Sequence, residues 1–249
     1  MVGRWLLSAI WVVSMSGNAR TGCFDDWFCV STAPQTGVLR VYLTRPHPVV
    51  VSVYSDAITP SPYTVALTST TPHIIGKLAQ PETFWSDMRK KWTGGKQHAQ
   101  HDDTVIYGWP LQPVGQYPIV QGVNGRFSHQ GASRYAFDFA APPGTFVFAA
   151  RSGVVIDLQQ HFSQGGPHRR YAPYANYISI LHDDGTTGEY YHLQPHSSTV
   201  AIGETVNKGQ HIGATGNTGF TSLPHLHFAV YTAQAEGRYT SVPIRFAQP

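Results

Sequence analysis

Pro224-His225-Leu226-His227-Phe228-Ala229-Val230 alternates polar and apolar residues with a period of two. Successive side chains of a β-strand point to opposite faces. His225 and His227 therefore share one face, and Leu226 and Phe228 share the other. One sheet face then packs on a core while its reverse carries paired imidazoles. Tyr135-Ala136-Phe137-Asp138-Phe139 repeats the pattern, with Phe137 and Phe139 directed to the core and Asp138 opposite. A carboxylate on so apolar a strand costs several kcal/mol without a cationic partner, and a metal ion is one such partner. Tyr190-Tyr191-His192-Leu193 is read the same way, with Tyr191 and Leu193 inward and His192 outward. His129 precedes the Asp138 strand, in the loop Arg126-Phe127-Ser128-His129-Gln130-Gly131.

Composition agrees with a β protein. The chain has 249 residues, 41% hydrophobic and 12% aromatic, enough for a sizeable core, so a wholly disordered chain is excluded. Charged residues make up only 12%, which argues against coiled coils and long charged helices. With 24 Gly and 18 Pro the chain is rich in turns. A net charge of +3 is too small to point to nucleic acid, and none is expected as a partner. Thirteen histidines in so charge-poor a chain stand out, because His is the commonest metal ligand.

Arg4 precedes the apolar run Trp5–Met15, too short to span a bilayer but suited to a signal-peptide core. Gly17 and Ala19 supply small residues at −3 and −1 for cleavage after Ala19. Residues 1–19 are expected to be a removed secretory signal, placing the mature chain in a periplasm or outside the cell. No later apolar run is long enough for a transmembrane helix. In an exported protein, Cys23 and Cys29 are expected to form a local disulfide. The rival reading, a lipid-anchored Cys23, is disfavoured by Arg20 three positions earlier.

Two domains are expected, both mainly β. Residues 20–115 read as a small N-terminal all-β domain of open role, built on strands such as VLRVYLT, VVVSVYS and YTVALTS. Within it, 82–103 is expected to be a polar stretch with room for one short helix and a solvated Arg89-Lys90-Lys91 cluster. Residues 114–125 read as a connector. Residues 116–235 form the second domain and 236–249 a tail. Three further groups are read as structural. His98, His101, Asp102 and Asp103 suggest a mobile loop, and His182-Asp183-Asp184-Gly185 a surface hairpin turn. The glycine-rich Gly213–Gly219 suggests a tight turn feeding the His225 strand, since no Lys-Ser/Thr follows for a phosphate loop. No G-x-S-x-G elbow supports serine-hydrolase chemistry.

From Gly125 to Tyr231 the chain resembles the lysostaphin/LytM-type zinc metallopeptidases, which cleave peptide bridges in bacterial peptidoglycan. Four blocks carry the resemblance in order: SHQGASRYAFDFAAPPGTFVFAARSGVV, EYYHL, TVNKGQHIGATGNTG and PHLHF. The resemblance implies an antiparallel sheet with a zinc groove on one face. It also implies one Zn2+ per chain held by His129, Asp138 and His227, with His192 and His225 as catalytic histidines. The chain departs from the family at one point: many members place the first His three residues before the Asp, whereas here eight residues intervene. The function implied is an exported zinc endopeptidase acting on cross-bridges or stem peptides. The alternative is an inactive module of the same fold that binds wall or regulates another hydrolase. Relatives of that second kind typically lack some of the five residues, all of which are present here. Two His and one carboxylate also leave one of four tetrahedral positions open, the pattern of a catalytic rather than a structural zinc site.

Overall fold

The computed structural model describes residues 20–248, so the expected signal segment lies outside the described residues. The chain divides into two compact units. Among the described residues, one unit comprises 20–97 with Ala233–Arg238, and the other comprises His98–Thr232 with 239–248. No helix among the described residues is long and apolar enough to cross a membrane.

The first unit is built from β-branched strands. An antiparallel sheet runs Arg20–Phe24, Phe28–Thr32, Val38–Leu43, His73–Lys77, and a second places Val49–Tyr54 between Tyr63–Leu67 and Arg89–Gly94. Cys23 and Cys29 face each other in the first hairpin and form the expected disulfide. Val30, Leu39, Val41, Val50, Val51 and Val53 are fully buried with Phe28 and Phe84. The expected short helix is Pro81–Asp87, opening on a proline whose missing N–H is no loss in a first turn. The Arg89-Lys90-Lys91 cluster is largely the solvated face expected, with Arg89 and Lys91 exposed and Lys90 half-buried. It lies on a strand, where Arg89 and Lys91 sit over the Tyr54 ring at 5.9 and 5.7 Å and Lys90 over Phe24 at 4.6 Å. Pairing with Val49–Tyr54 outweighs weak β propensity, and the long aliphatic stems cover aromatic surface.

The second unit is organised by one largely antiparallel sheet, in the order Thr205–Val206, Gly153–Gln159, Tyr177–Leu181, Thr187–Tyr191, His225–Ala233, Phe137–Ala140, Ile119–Gln121. Phe139, Ile178, Ile180, Tyr190, Leu226, Phe228 and Val230 form its core. The connector expected at 114–125 therefore contains an edge strand, Ile119–Gln121, which pairs with the Asp138 strand. Two strands also lie beyond residue 235: Tyr239–Ser241 beside His225–Ala233, and Arg245–Phe246 beside Ile106–Tyr107.

His182 closes the hairpin turn expected there, with its amide on Thr186 O, but the turn is not wholly a surface feature. The His182 side chain is buried, donates from Nδ1 to Ser152 O at 3.0 Å, and leaves Nε2 without a partner. Buried Arg151 beside it donates to Asp184 at 2.6 Å, to Asp183 and to the Tyr107 hydroxyl. Burial first, and the Arg151 cation next, lower the His182 pKa to about 4 from 6.5. Between those values the unfolded chain binds a proton that the folded chain refuses, so acidification destabilises the fold. Urea unfolding at pH 7 and pH 5 should show a loss that shrinks by on the order of 1–2 kcal/mol in His182→Gln. Equal losses in parent and variant would show that His182 is not responsible.

Candidate metal centre

The sheet register builds the site. Asp138 pairs with His227 and Ala140 with His225, while Phe137 and Phe139 meet Phe228 and Leu226 on the reverse. Both strands thus present the faces read from their alternation. His129 comes from the preceding loop, where Gly131–Ser133 forms a 3-10 turn that takes up part of the long interval before Asp138. The carboxylate oxygen Asp138 Oδ1 lies 2.8 Å from His227 Nδ1, 3.1 Å from His129 Nε2 and 3.7 Å from His225 Nε2. His129, Asp138 and His227 are all buried, and each offers one ligand-type atom within 4.8 Å of the others. Among the described residues this is the one such group of three. His101, by contrast, bonds Asp103 and the Tyr107 hydroxyl.

Hydrogen bonds set the tautomers. His129 donates from Nδ1 to Gly122 O at 3.0 Å, which leaves its buried Nε2 near Asp138 without a hydrogen bond of good geometry. His227 turns Nδ1 to Asp138 and Nε2 toward the Tyr231 hydroxyl, itself bonded to Ser133. Burial opposes charge on Asp138, yet the imidazoles of His129 and His227 around it hold its carboxyl well below the usual range.

His192 and His225 stand beside this group, their ring centroids 4.6 Å apart. His192 donates from Nδ1 to Thr218 O at 2.7 Å, and His225 donates from Nδ1 to Leu223 O at 2.7 Å with the Thr221 hydroxyl 3.2 Å away. Each is left with an Nε2 lone pair. Burial, with His225 and His227 nearby, lowers the His192 pKa to about 3. Burial also lowers that of His225, against the pull of Asp138. Both rings are therefore neutral near pH 7 and able to accept a proton.

The Tyr190–Leu193 alternation needs correction. Tyr190 is the core residue, pairing with Phe228, while Tyr191 pairs with His227 on the site face and stacks against Tyr177. The strand ends at Tyr191, and His192 adopts a left-handed φ of +67°. That kink breaks the alternation and lets His192 join the site although Tyr190, two residues earlier, faces the core. A left-handed non-glycine residue costs on the order of 1 kcal/mol and clusters at functional sites. The Gly213–Gly219 turn supplies the carbonyl that holds His192. Gly219 has φ +82°, and a Cβ there would stand 2.6 Å from Ala175 Cβ. Gln121, Thr218 and Thr221 border the site without having been singled out from sequence, and Tyr191 borders it although its alternation pointed inward. Only an unexplained polar residue at a strand end could have marked Gln121.

Residues 132–239 match the profile described as Peptidase family M23. The match takes in Asp138, His192, His225 and His227 and begins three residues after His129. The chain is 32% identical over 140 residues to the Vibrio cholerae peptidoglycan DD-endopeptidase ShyA, covering 54% of this chain and 30% of that protein. It is 34% identical over 115 residues to lysostaphin from Staphylococcus simulans, covering 46% of this chain and 20% of that one. It thus spans a third or less of these relatives' lengths. Among solved structures, the catalytic domain of the prophage-encoded M23 protein EnpA from Enterococcus faecalis aligns with a TM-score of 0.40 and 22% identity, covering 53% of this chain and 92% of that one.

The neutral rings can be observed directly. Nitrogen-detected NMR should find His192 and His225 as Nδ1–H tautomers at pH 7, with His192 still neutral at pH 5. An imidazolium signal from His192 at pH 5 would contradict the burial argument.

Proposed function

We propose, from the premise that residues 132–239 form a domain of peptidase family M23, that this chain is an exported zinc endopeptidase cutting cross-bridges or stem peptides of bacterial peptidoglycan. The observation that carries this reading is the convergence of five side chains on one sheet face. Three ligand-type groups lie within 4.8 Å of one another, with two neutral imidazoles beside them. Export is supported by the signal-like pattern of residues 1–19 and by the Cys23–Cys29 disulfide, which suits an oxidising compartment. The wall substrate is supported by the similarity to ShyA, a peptidoglycan DD-endopeptidase, and to lysostaphin.

The residues fit one zinc ion by their own chemistry. The buried His129 Nε2 has no other partner, and Asp138 Oδ1 is turned toward both flanking imidazoles. His129, Asp138 and His227 would hold the ion, which when bound supplies a Lewis acid and a place for an acidified water. His192 and His225, neutral with Nε2 free, can take a proton from the attacking water and return one to the departing amine. Once protonated, either ring can also stabilise negative charge on the scissile carbonyl oxygen. The carbonyls of Thr218 and Leu223 keep both rings in the tautomer this requires, and support the imidazolium form when it arises.

Digestion of purified peptidoglycan with mass analysis of the fragments tests the reading. Zinc-loaded protein should release pieces with new peptide termini and intact glycan, lose activity to a strong chelator and regain it with zinc. His227→Ala should abolish zinc binding. His225→Ala should keep zinc and lose about 10²–10⁴-fold in rate. Glycan cleavage, full activity after chelation, or zinc lost with His225 but not with His227 would overturn the assignment.

A further inference from the structure

Gln121 sits half-buried at the end of the edge strand Ile119–Gln121, in register with Asp138. Its amide makes four hydrogen bonds: Nε2 donates to Asp138 Oδ2 and to Ser128 Oγ, both at 2.8 Å, while Oε1 accepts from Phe127 N at 3.0 Å and Ser128 N at 3.2 Å. A primary amide has two N–H donors and two lone pairs, so its whole capacity is used. The two oxygens of Asp138 thereby divide their tasks. Oδ2 is tied to Gln121, and Oδ1 is turned to His129, His227 and His225. The same amide grips the backbone one residue before His129. Space is kept for it at Gly125, where a Cβ would stand 2.2 Å from Gln121 Cγ.

We propose that Gln121 is a positioning residue for the metal ligands. It registers the His129 loop against the Asp138 carboxylate and aims Oδ1 into the site. The inference deepens the metal reading above and rests on it. Asp138 and His227 lie on neighbouring strands whose ladder fixes their spacing. His129 does not, because eight residues, a 3-10 turn among them, separate it from Asp138. Chain connectivity alone leaves that loop free to present the imidazole elsewhere. Gln121 closes the interval without a covalent bond and holds both ends of it.

The full chain is titrated with zinc against a chromophoric chelator at pH 7, and cobalt(II) is added separately so that its absorption bands report ligand geometry. Three variants are compared with the parent. Gln121→Leu removes all four hydrogen bonds. Gln121→Glu keeps the shape but sets a carboxylate oxygen against Asp138. Gly125→Ala displaces the amide without changing it. Each should weaken zinc binding by about 10–100-fold and alter the cobalt bands. The zinc concentration for half-maximal hydrolysis should rise by the same factor, while KM for peptidoglycan at saturating zinc stays at the parent value. A purely structural role would lower the melting temperature and leave the affinity of folded protein unchanged. Zinc affinity within twofold of the parent, with unaltered cobalt bands, in any folded variant of Gln121 would overturn the proposal. If Gln121→Leu does not fold, the isosteric Gln121→Glu decides, and Gly125→Ala decides if neither does. A parent that binds no zinc would overturn the metal reading and this proposal with it, whereas parent binding with unchanged variants overturns the proposal alone.

Discussion

The buried carboxylate of Asp138 is the constraint around which the second unit is arranged. It occupies the site face of a strand whose other face carries Phe137 and Phe139 into the core. An isolated carboxylate in that position would be costly to bury. The fold surrounds it with polar groups: His227 from the neighbouring strand and Gln121 from the edge strand donate to it, and His129 from the preceding loop approaches to 3.1 Å. The antiparallel ladder makes this possible. Because Asp138 lies opposite His227, shifting the pairing by one residue would turn one of them into the core and the other away from its partner. The hydrophobic face therefore enforces the polar one. Phe139, Leu226 and Phe228 cannot be exposed cheaply, so the register that buries them also aligns the site.

Electrostatics divides the histidines into two kinds. His129 and His227 lean on the carboxylate directly. His192 and His225 instead donate to backbone carbonyls, and burial keeps them neutral near pH 7. A backbone carbonyl holds a tautomer without adding a full charge, which leaves the opposite nitrogen free to take a proton. Donation to carbonyls also softens the cost of protonation when it comes. The glycine-rich turn earns its composition here: Gly219 approaches Ala175 so closely that no side chain fits, and that approach sets Thr218 against His192.

Much of this was legible in the chain itself. Period-two alternation assigned the faces of Phe137–Phe139 and of His225–Phe228, because both strands are regular and half-buried. The mainly β architecture followed from β-branched runs between turn residues. Legibility failed where tertiary context overrode local pattern. Arg89-Lys90-Lys91 reads as a solvated face, and Arg89 and Lys91 are exposed, but charge says nothing of the aromatic rings of Tyr54 and Phe24 beside them. Tyr191 was placed inward because alternation assumes an unbroken strand, and the left-handed turn at His192 lies outside that assumption. Residues 119–121 read as connector because a strand of three residues is too short to show a period.

The two routes by which a fold can fix a side chain are both present in this site, and they differ in what they demand of the sequence. A residue on a paired strand inherits its position from the ladder, so its neighbours need only be apolar and β-compatible. A residue on a loop inherits almost nothing from the ladder, and each degree of freedom must be removed by a specific hydrogen bond or a steric stop. His129 belongs to the second class. Its ring is tied to Gly122 O, its amide to Gly125 O, and the residue before it to the Gln121 side chain. Eight residues lie between His129 and Asp138, so the ladder that spaces Asp138 from His227 fixes nothing about His129. On the proposal made above for Gln121, a side-chain amide takes the part in the loop that the backbone ladder takes for the strands, bonding the Asp138 carboxylate at one end and the Phe127 and Ser128 amides at the other.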